Sequence, residues 1–155
     1  KNAKEFIRNM AEKGISIDVS IGLPCRDIPG LSRSLRSARS VLSLGKGLGA
    51  KGVIAARAFT AETLVDSLSK SKKEEYISST LKGLESRNDF ADMRETFLAW
   101  CESPFACAEV AEKLAMHRNS LQYRLKKIRT ITGKDPWNFK DAFELWAAFT
   151  MTKMK

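Results

Sequence analysis

Histidine occurs once in the 155 residues, at His117, and cysteine three times, at Cys25, Cys101 and Cys107. One imidazole and three thiols at no metal-ligand spacing do not make a zinc site. No serine or cysteine stands at the spacing of a nucleophile signature, so the chain is not read as an enzyme and no cofactor or metal is expected. An odd number of cysteines reads as reduced thiols in a cytoplasmic chain. No apolar run approaches the roughly 20 residues of a membrane span, and no secretory leader is visible. Internal repeats and low-complexity tracts are also missing. The chain opens at Lys1, inside a helical pattern and without an initiator Met, which reads as a fragment of a longer protein.

The composition is that of an ordinary globular chain, 43% hydrophobic and 29% charged. Lysine and arginine number 27 against 18 acidic residues, a formal net charge of +9. An excess of that size favours a polyanionic partner. The excess is concentrated: from Arg118 to Lys134 there is no acidic residue.

That run belongs to the stretch around which the chain is organised, ACAEVAEKLAMHRNSLQYRLKKIRTITG, Ala106 to Gly133. It reads as two helices joined by a tight turn. Val110, Ala111 and Leu114 mark the inner side of the first, where a small alanine lets helices cross closely. Leu121, Leu125, Ile128 and Thr132 fall at steps of four, three and four, one face of a 3.6-residue period. Opposite them lie Asn119, Gln122, Tyr123, Lys126 and Thr130, with Arg118, Arg124 and Lys127 on the flanks. Asn, Gln and Arg can hydrogen-bond base edges in pairs, and flanking Arg and Lys can hold phosphates. A cationic amphipathic helix is often only a solvated face; here periodicity, the small residue and the charge sign all agree with a DNA-binding helix-turn-helix.

The segment AEKLAMHRNSLQYRLKKIRTITG closely resembles the C-terminal helix-turn-helix of the PucR/CdaR family of bacterial transcription regulators, which includes the carbohydrate diacid regulators. Ala111, Leu114, His117, Asn119, Ser120, Leu121, Tyr123, Arg124, Leu125, Ile128, Thr132 and Gly133 stand at the family's pattern positions. The downstream segment NFKDAFELWAAF is similar to the family's closing helix, and the pair also resembles, more distantly, Fis-type DNA-binding helices.

From the N-terminus, Lys1–Lys13 reads as a helix with Phe6, Ile7 and Met10 on one side, stopped by Gly14. Ile15 to Leu23 alternates strictly and reads as a strand, broken by Pro24 and the segment Asp27–Gly30. Leu31, Leu35, Ala38 and Leu42 mark the apolar face of a second helix, with Arg33, Arg36 and Arg39 pointing away; Gly45, Gly47 and Gly49 end it. Gly52–Phe59 reads as a second short strand. This order resembles the last part of a GGDEF-like domain, such as PucR/CdaR regulators carry before their DNA-binding end. The signature GG-[DE]-E-F is absent, so the resemblance implies no cyclase chemistry. Thr60 is read as the cap of a helix to Leu68, Lys70–Lys73 as a charged joint, and Glu74–Leu84 as a helix with Tyr76, Ile77, Leu81 and Leu84 inward. Asn88 is expected to cap the next helix, whose Phe90, Met93, Phe97 and Cys101 share a face. Ser103 and Pro104 are read as the start of the helix after that. Asn138 and Asp141 resemble a cap with an acid three residues on, and Phe139, Phe143, Trp146 and Phe149 are expected to cover the back of the motif.

Gly47–Gly52 spells G-x-G-x-x-G, but a dinucleotide fingerprint follows a strand and opens a helix, and this one does the reverse; a helix-to-strand turn is the better reading. The lone His117 suits the turn before the second helix of the motif better than a DNA contact. Arg33, Arg36 and Arg39 read as a solvated helix face, and Trp100, Trp137 and Trp146 as core or rim aromatics.

The expectation is an α+β chain, mostly α. Residues 1–59 would be the end of a degenerate GGDEF-like domain, 60–87 a helical connector, and 88–155 a wingless PucR-type helix-turn-helix domain. Its expected function is sequence-specific binding of double-stranded DNA by a regulator of a catabolic operon, of sugar diacid or purine type as the resemblance implies. Arg118, Asn119, Gln122, Tyr123 and Lys126 would face bases or groove wall; Ser120, Arg124, Lys127 and Arg129 would hold backbone. A homodimer is expected, and an effector domain further N-terminal. The competing readings are a nonspecific Fis-like DNA-bending protein and a nucleotide-sensing, cyclase-like fragment.

Overall fold

The computed structural model describes residues 2–103 and 106–154. The chain is mostly helical and forms two compact units, one running to Ser67 and the other from Leu68 to Lys153.

The first unit contains α1 (Asn2–Glu12), β1 (Val19–Ile21), α2 (Ile28–Gly47), β2 (Val53–Ala55), a 3-10 turn at Ala56–Phe59 and α3 (Thr60–Asp66). The two strands pair in parallel, Val19 with Val53 and Ile21 with Ala55, and α2 is the crossover that parallel pairing requires. Their entry is pinned by the Gly52 amide, which donates to Asp18 Oδ1 at 2.7 Å. The long alternation from Ile15 yields only three strand residues, because β2 offers a ladder only three residues long. The expected second strand likewise gives way to the 3-10 turn. The segment Asp27–Gly30 is less a break than a cap: Asp27 Oδ1 accepts the Gly30 amide at 2.7 Å, and Pro29 sits in the first turn.

The apolar face expected for α2 is corrected by the structure. Its buried residues are Gly30, Val41, Leu44 and Gly45, whereas Leu31 is 61% and Leu35 53% exposed. The core of this unit, Val41, Ile54 and Ala56 with Leu42, Ala50 and Phe59, lies against the C-terminal half of the helix only. Gly45 does not end the helix. It lies inside it and lets it approach β2, since a Cβ there would sit 2.8 Å from Ile54 Cγ2. The Gly47–Gly52 run is the helix-to-strand turn its order implies. Thr60 is the first residue of α3 rather than its cap: its hydroxyl donates back to the Arg57 carbonyl at 3.2 Å.

The second unit contains α4 (Lys70–Leu81), a 3-10 turn at Leu84–Ser86, α5 (Phe90–Glu102), α6 (Cys107–Lys113), α7 (Arg118–Thr132) and α8 (Phe139–Lys153). Helix α5 is the hub, packing on α6, α7 and α8, while α4 lies along α8. Phe97, Trp100, Val110, Leu121, Leu125, Ile128, Leu145 and Phe149 are all fully buried. Each large apolar side chain sealed in this way is worth about 1.5–3 kcal/mol of transfer free energy. Phe97 and Phe149 meet at 5.2 Å between ring centroids, and Trp100 satisfies its indole N–H on the Pro136 carbonyl at 3.2 Å.

Several expected boundaries move. Lys70–Lys73 is the first turn of α4, with Ser69 as its cap, not a joint. Asp89, not Asn88, stands at the N-cap position of α5, and its side chain makes no cap bond because lysine and arginine partners take it. Ser103 closes α5 instead of opening α6, whose cap position is Ala106; Pro104 lies outside the described residues. Asn138 does cap α8, accepting the Asp141 amide at 3.2 Å. The aromatic face expected of α8 is only partly right. Phe149 is buried, but Phe139 is 79% and Phe143 51% exposed, and the inward side is built from Ala142, Leu145, Ala147 and Ala148. Small residues there let α8 pack closely on its neighbours; bulk alone does not mark a buried face.

Candidate nucleic-acid interface

The turn between α6 and α7 is closed by backbone. Leu114 caps α6, Ala115 takes a left-handed φ of +49°, and the Met116 amide donates to the Ala111 carbonyl at 2.9 Å, the bond of a Schellman closure. Val110 and Ala111 are buried against the rest of the unit, while Leu114 is half-buried. His117 then starts α7: its Nδ1 accepts the Asn119 amide at 3.2 Å, which makes the histidine the N-cap. Gly133 closes the helix, its amide donating to the Arg129 carbonyl at 2.8 Å.

The stripe of α7 is sealed. Leu121, Leu125 and Ile128 are fully buried and Thr132 nearly so, its hydroxyl donating to the Ile128 carbonyl at 2.8 Å. This rotation turns the rest of the helix outward. Arg118, Asn119, Ser120, Tyr123, Lys126 and Arg129 are exposed, Gln122, Arg124 and Lys127 half-buried. At about 100° per residue, Asn119 and Tyr123 are nearly opposite the stripe, Arg118, Gln122 and Arg129 lie on one flank, and Ser120, Arg124 and Lys127 on the other.

The two flanks differ. On the second, α7 faces the first turn of α5 across an open groove of about 520 Å³ lined by Asp89, Asp92, Met93, Asn119, Ser120, Tyr123, Arg124 and Lys127. Lys127 Nζ lies 2.5 Å from Asp89 Oδ2. Arg124 reaches Asp92 Oδ2 at 3.2 Å with one nitrogen and Thr96 Oγ1 at 2.9 Å with the other. The Lys127 ammonium, with help from Arg87, holds the Asp89 carboxyl below the usual carboxylate range, and it lies 5.8 Å from the centre of the Tyr123 ring. Arg129 pairs with Asp135 at 3.2 Å. Among the described residues Arg118 and Lys126 have no carboxylate partner, and the Asn119 side chain makes no hydrogen bond.

The nine residues singled out in the sequence therefore lie together on the outer side of one helix, but three of the cations are neutralised inside the protein. Sequence reasoning missed Asp89, Asp92 and Thr96. Their spacing of three and four was available as a polar face on α5, yet nothing local says that this face meets α7. No group of three or more His, Cys, Asp or Glu among the described residues could hold a metal ion. No helix among them is long and apolar enough to cross a membrane.

Two short helices at a tight left-handed turn, the second with a sealed stripe and a cationic outer face, define a helix-turn-helix domain. Comparison with known proteins places it further: residues 93–151 match the PucR C-terminal helix-turn-helix domain, and the chain carries that domain. Over 157 aligned positions the chain is 27% identical to the carbohydrate diacid regulator of Escherichia coli strain K12, covering 97% of this chain and 40% of the regulator. It is 39% identical over 57 residues to the transcriptional activator PmfR of Paenarthrobacter nicotinovorans, 37% of this chain and 12% of that protein. An uncharacterized protein of Mycobacterium tuberculosis is 38% identical over 60 residues, 39% of this chain and 14% of that protein. The chain thus spans well under half the length of these relatives.

Proposed function

We propose that this chain is the DNA-binding part of a transcription regulator, without enzymatic activity of its own, acting on double-stranded DNA in the cytoplasm. The observation that carries the reading is the outer face of α7, where Arg118, Asn119, Tyr123 and Lys126 stand exposed on an acid-free helix over a sealed apolar stripe. Arg118, Asn119, Gln122, Tyr123 and Lys126 read bases or the groove wall. Ser120 and Arg129, with Arg124 and Lys127 once these leave their carboxylates, reach the backbone. Residues 1–59 are the end of a GGDEF-like domain, 60–87 a connector and 88–155 the DNA-binding domain. One motif offers few base contacts, so a homodimer reads two half-sites. The target in this reading is a catabolic operon of sugar diacid or purine type, with a small-molecule effector bound further N-terminal; the name of the carbohydrate diacid regulator among the relatives speaks for the diacid type alone.

The test is fluorescence anisotropy on a duplex selected from a random pool and on its scrambled counterpart. Neutralising about six phosphates gives a slope of log K against log salt near −5. A regulator prefers the selected duplex by roughly 10³ or more, whereas a Fis-like architectural protein binds both alike. Binding to neither duplex at low salt removes DNA as the partner.

A further inference from the structure

The groove between α5 and α7 holds two parallel ion pairs, and they sit inside the surface proposed to meet DNA. Asp89 and Asp92, three residues apart, face Lys127 and Arg124, also three apart. Asn119 and Tyr123, at the centre of the exposed face, line the same groove. The Arg124 guanidinium is held from beneath as well: Thr96, fully buried, gives its hydroxyl proton to the Asp92 carbonyl at 2.6 Å and accepts from Arg124 at 2.9 Å. Ion pairs that stay open to solvent on one side stabilise a fold little, so stability is a weak reason for aligning two of them here.

We infer that Asp89 and Asp92 are built-in competitors for DNA phosphate, holding Lys127 and Arg124 back from the backbone of DNA whose bases α7 does not match; the inference rests on the DNA-binding reading above. Sequence-independent affinity comes from cations that replace the counterions of DNA. A cation already neutralised by a protein carboxylate adds little to that release, and a phosphate drawn into the groove meets two like charges. On random DNA the face therefore works with Arg118 and Lys126, which have no such partner among the described residues. On matched DNA, contacts from Asn119, Gln122 and Tyr123 offset the cost of parting the pairs, and Arg124 and Lys127 become available. The carboxylates then act as specificity-determining residues although they touch no base.

The experiment measures binding of the whole chain to a random-sequence duplex over a salt series, with melting curves for each variant. Asp89→Asn and Asp92→Asn should each bind severalfold more tightly than the parent, with a salt slope steeper by about one per released cation. In a Lys127→Ala background Asp89→Asn should lose most of that gain, keeping only what the release of Arg87, its other partner at 3.0 Å, supplies. Glu95→Gln, which removes an exposed charge on α5 outside the groove, should give a smaller increase. Unchanged or weakened binding by both aspartate variants overturns the inference and makes the carboxylates mere positioning groups. A gain no larger than that of Glu95→Gln overturns it too, by reducing it to net charge. A parent chain that binds no duplex at low salt sinks the DNA-binding reading itself, a failure distinguishable from either of these.

Discussion

Helices α2 and α7 are written in the same pattern. Each sets apolar residues at steps of three and four on one side and keeps its basic residues off that stripe. Their fates differ. In α7 Leu121, Leu125 and Ile128 are fully buried, because α5 and α6 close over them. In α2 the buried apolar residues, Val41 and Leu44, lie in the C-terminal half, and Leu31 and Leu35 lie open although β1, β2, the 3-10 turn and α3 all pack on the helix. Periodicity thus identifies an apolar face but not whether anything lies on it. A face with a complete set of neighbours carries stability, and one without contributes little in this chain.

The largest expected effect tests that difference directly. Leu125→Ala should cost about 2–5 kcal/mol through lost transfer energy and a residual cavity. Leu35→Ala should stay within about 0.5 kcal/mol, as exposed substitutions do. Urea unfolding of the two variants checks this, and similar losses for both would erase the contrast. Where α2 is in close contact, at Gly45, the comparison should invert. Gly45→Ala places a methyl 2.8 Å from Ile54 Cγ2 and should cost about 1–3 kcal/mol by overpacking. A gain in stability, as alanine gives in an open helix, would show that β2 simply moves aside.

The outer faces are separated next. Asn119→Ala should cost about 1–3 kcal/mol on selected DNA and little on scrambled DNA. The melting temperature should not change, since His117 supplies the cap. His117→Ala should lower stability by about 1 kcal/mol and weaken binding to every duplex together. Arg36→Ala, on the exposed side of α2, should leave DNA affinity untouched; a loss equal to that of Lys126→Ala would extend the interface to the first unit.

What the sequence made legible follows the range of the interactions. The stripe of α7, its closing Gly133, the cap at Asn138 and the helix-to-strand turn at Gly47–Gly52 are local and were readable. The exposure of Leu31 and Leu35, the three-residue strands and the inward alanines of α8 depend on which elements meet. The candidate face was legible for the same local reason as the stripe opposite it. Its neutralised side was not, because Arg124 and Lys127 find their carboxylates 32 and 38 residues away along the chain.

The smallest expected effect lies in the turns. The turn that leads from α2 to β2 places glycine at its left-handed positions, Gly49 at φ +85° and Gly52 at φ +78°, whereas the turn from α6 to α7 uses Ala115 at φ +49°. The left-handed region costs an L-residue about 1–2 kcal/mol, and a glycine there is free of that clash. The same substitution loosens the unfolded chain, which offsets about 0.4–1 kcal/mol. Ala115→Gly should therefore stabilise the protein by about 0.5 kcal/mol. For a cooperative unit of this size that raises the melting temperature by roughly 2–4 °C. The bonds that close the turn, from the amides of Ala115 and Met116, are backbone bonds and survive the change. DNA affinity should stay as it was, since the cap at His117 and the face of α7 are unaltered. A lower melting temperature would mean that the Ala115 methyl makes packing contacts worth more than its strain. The turn would then be held by its side chain rather than by the Schellman closure.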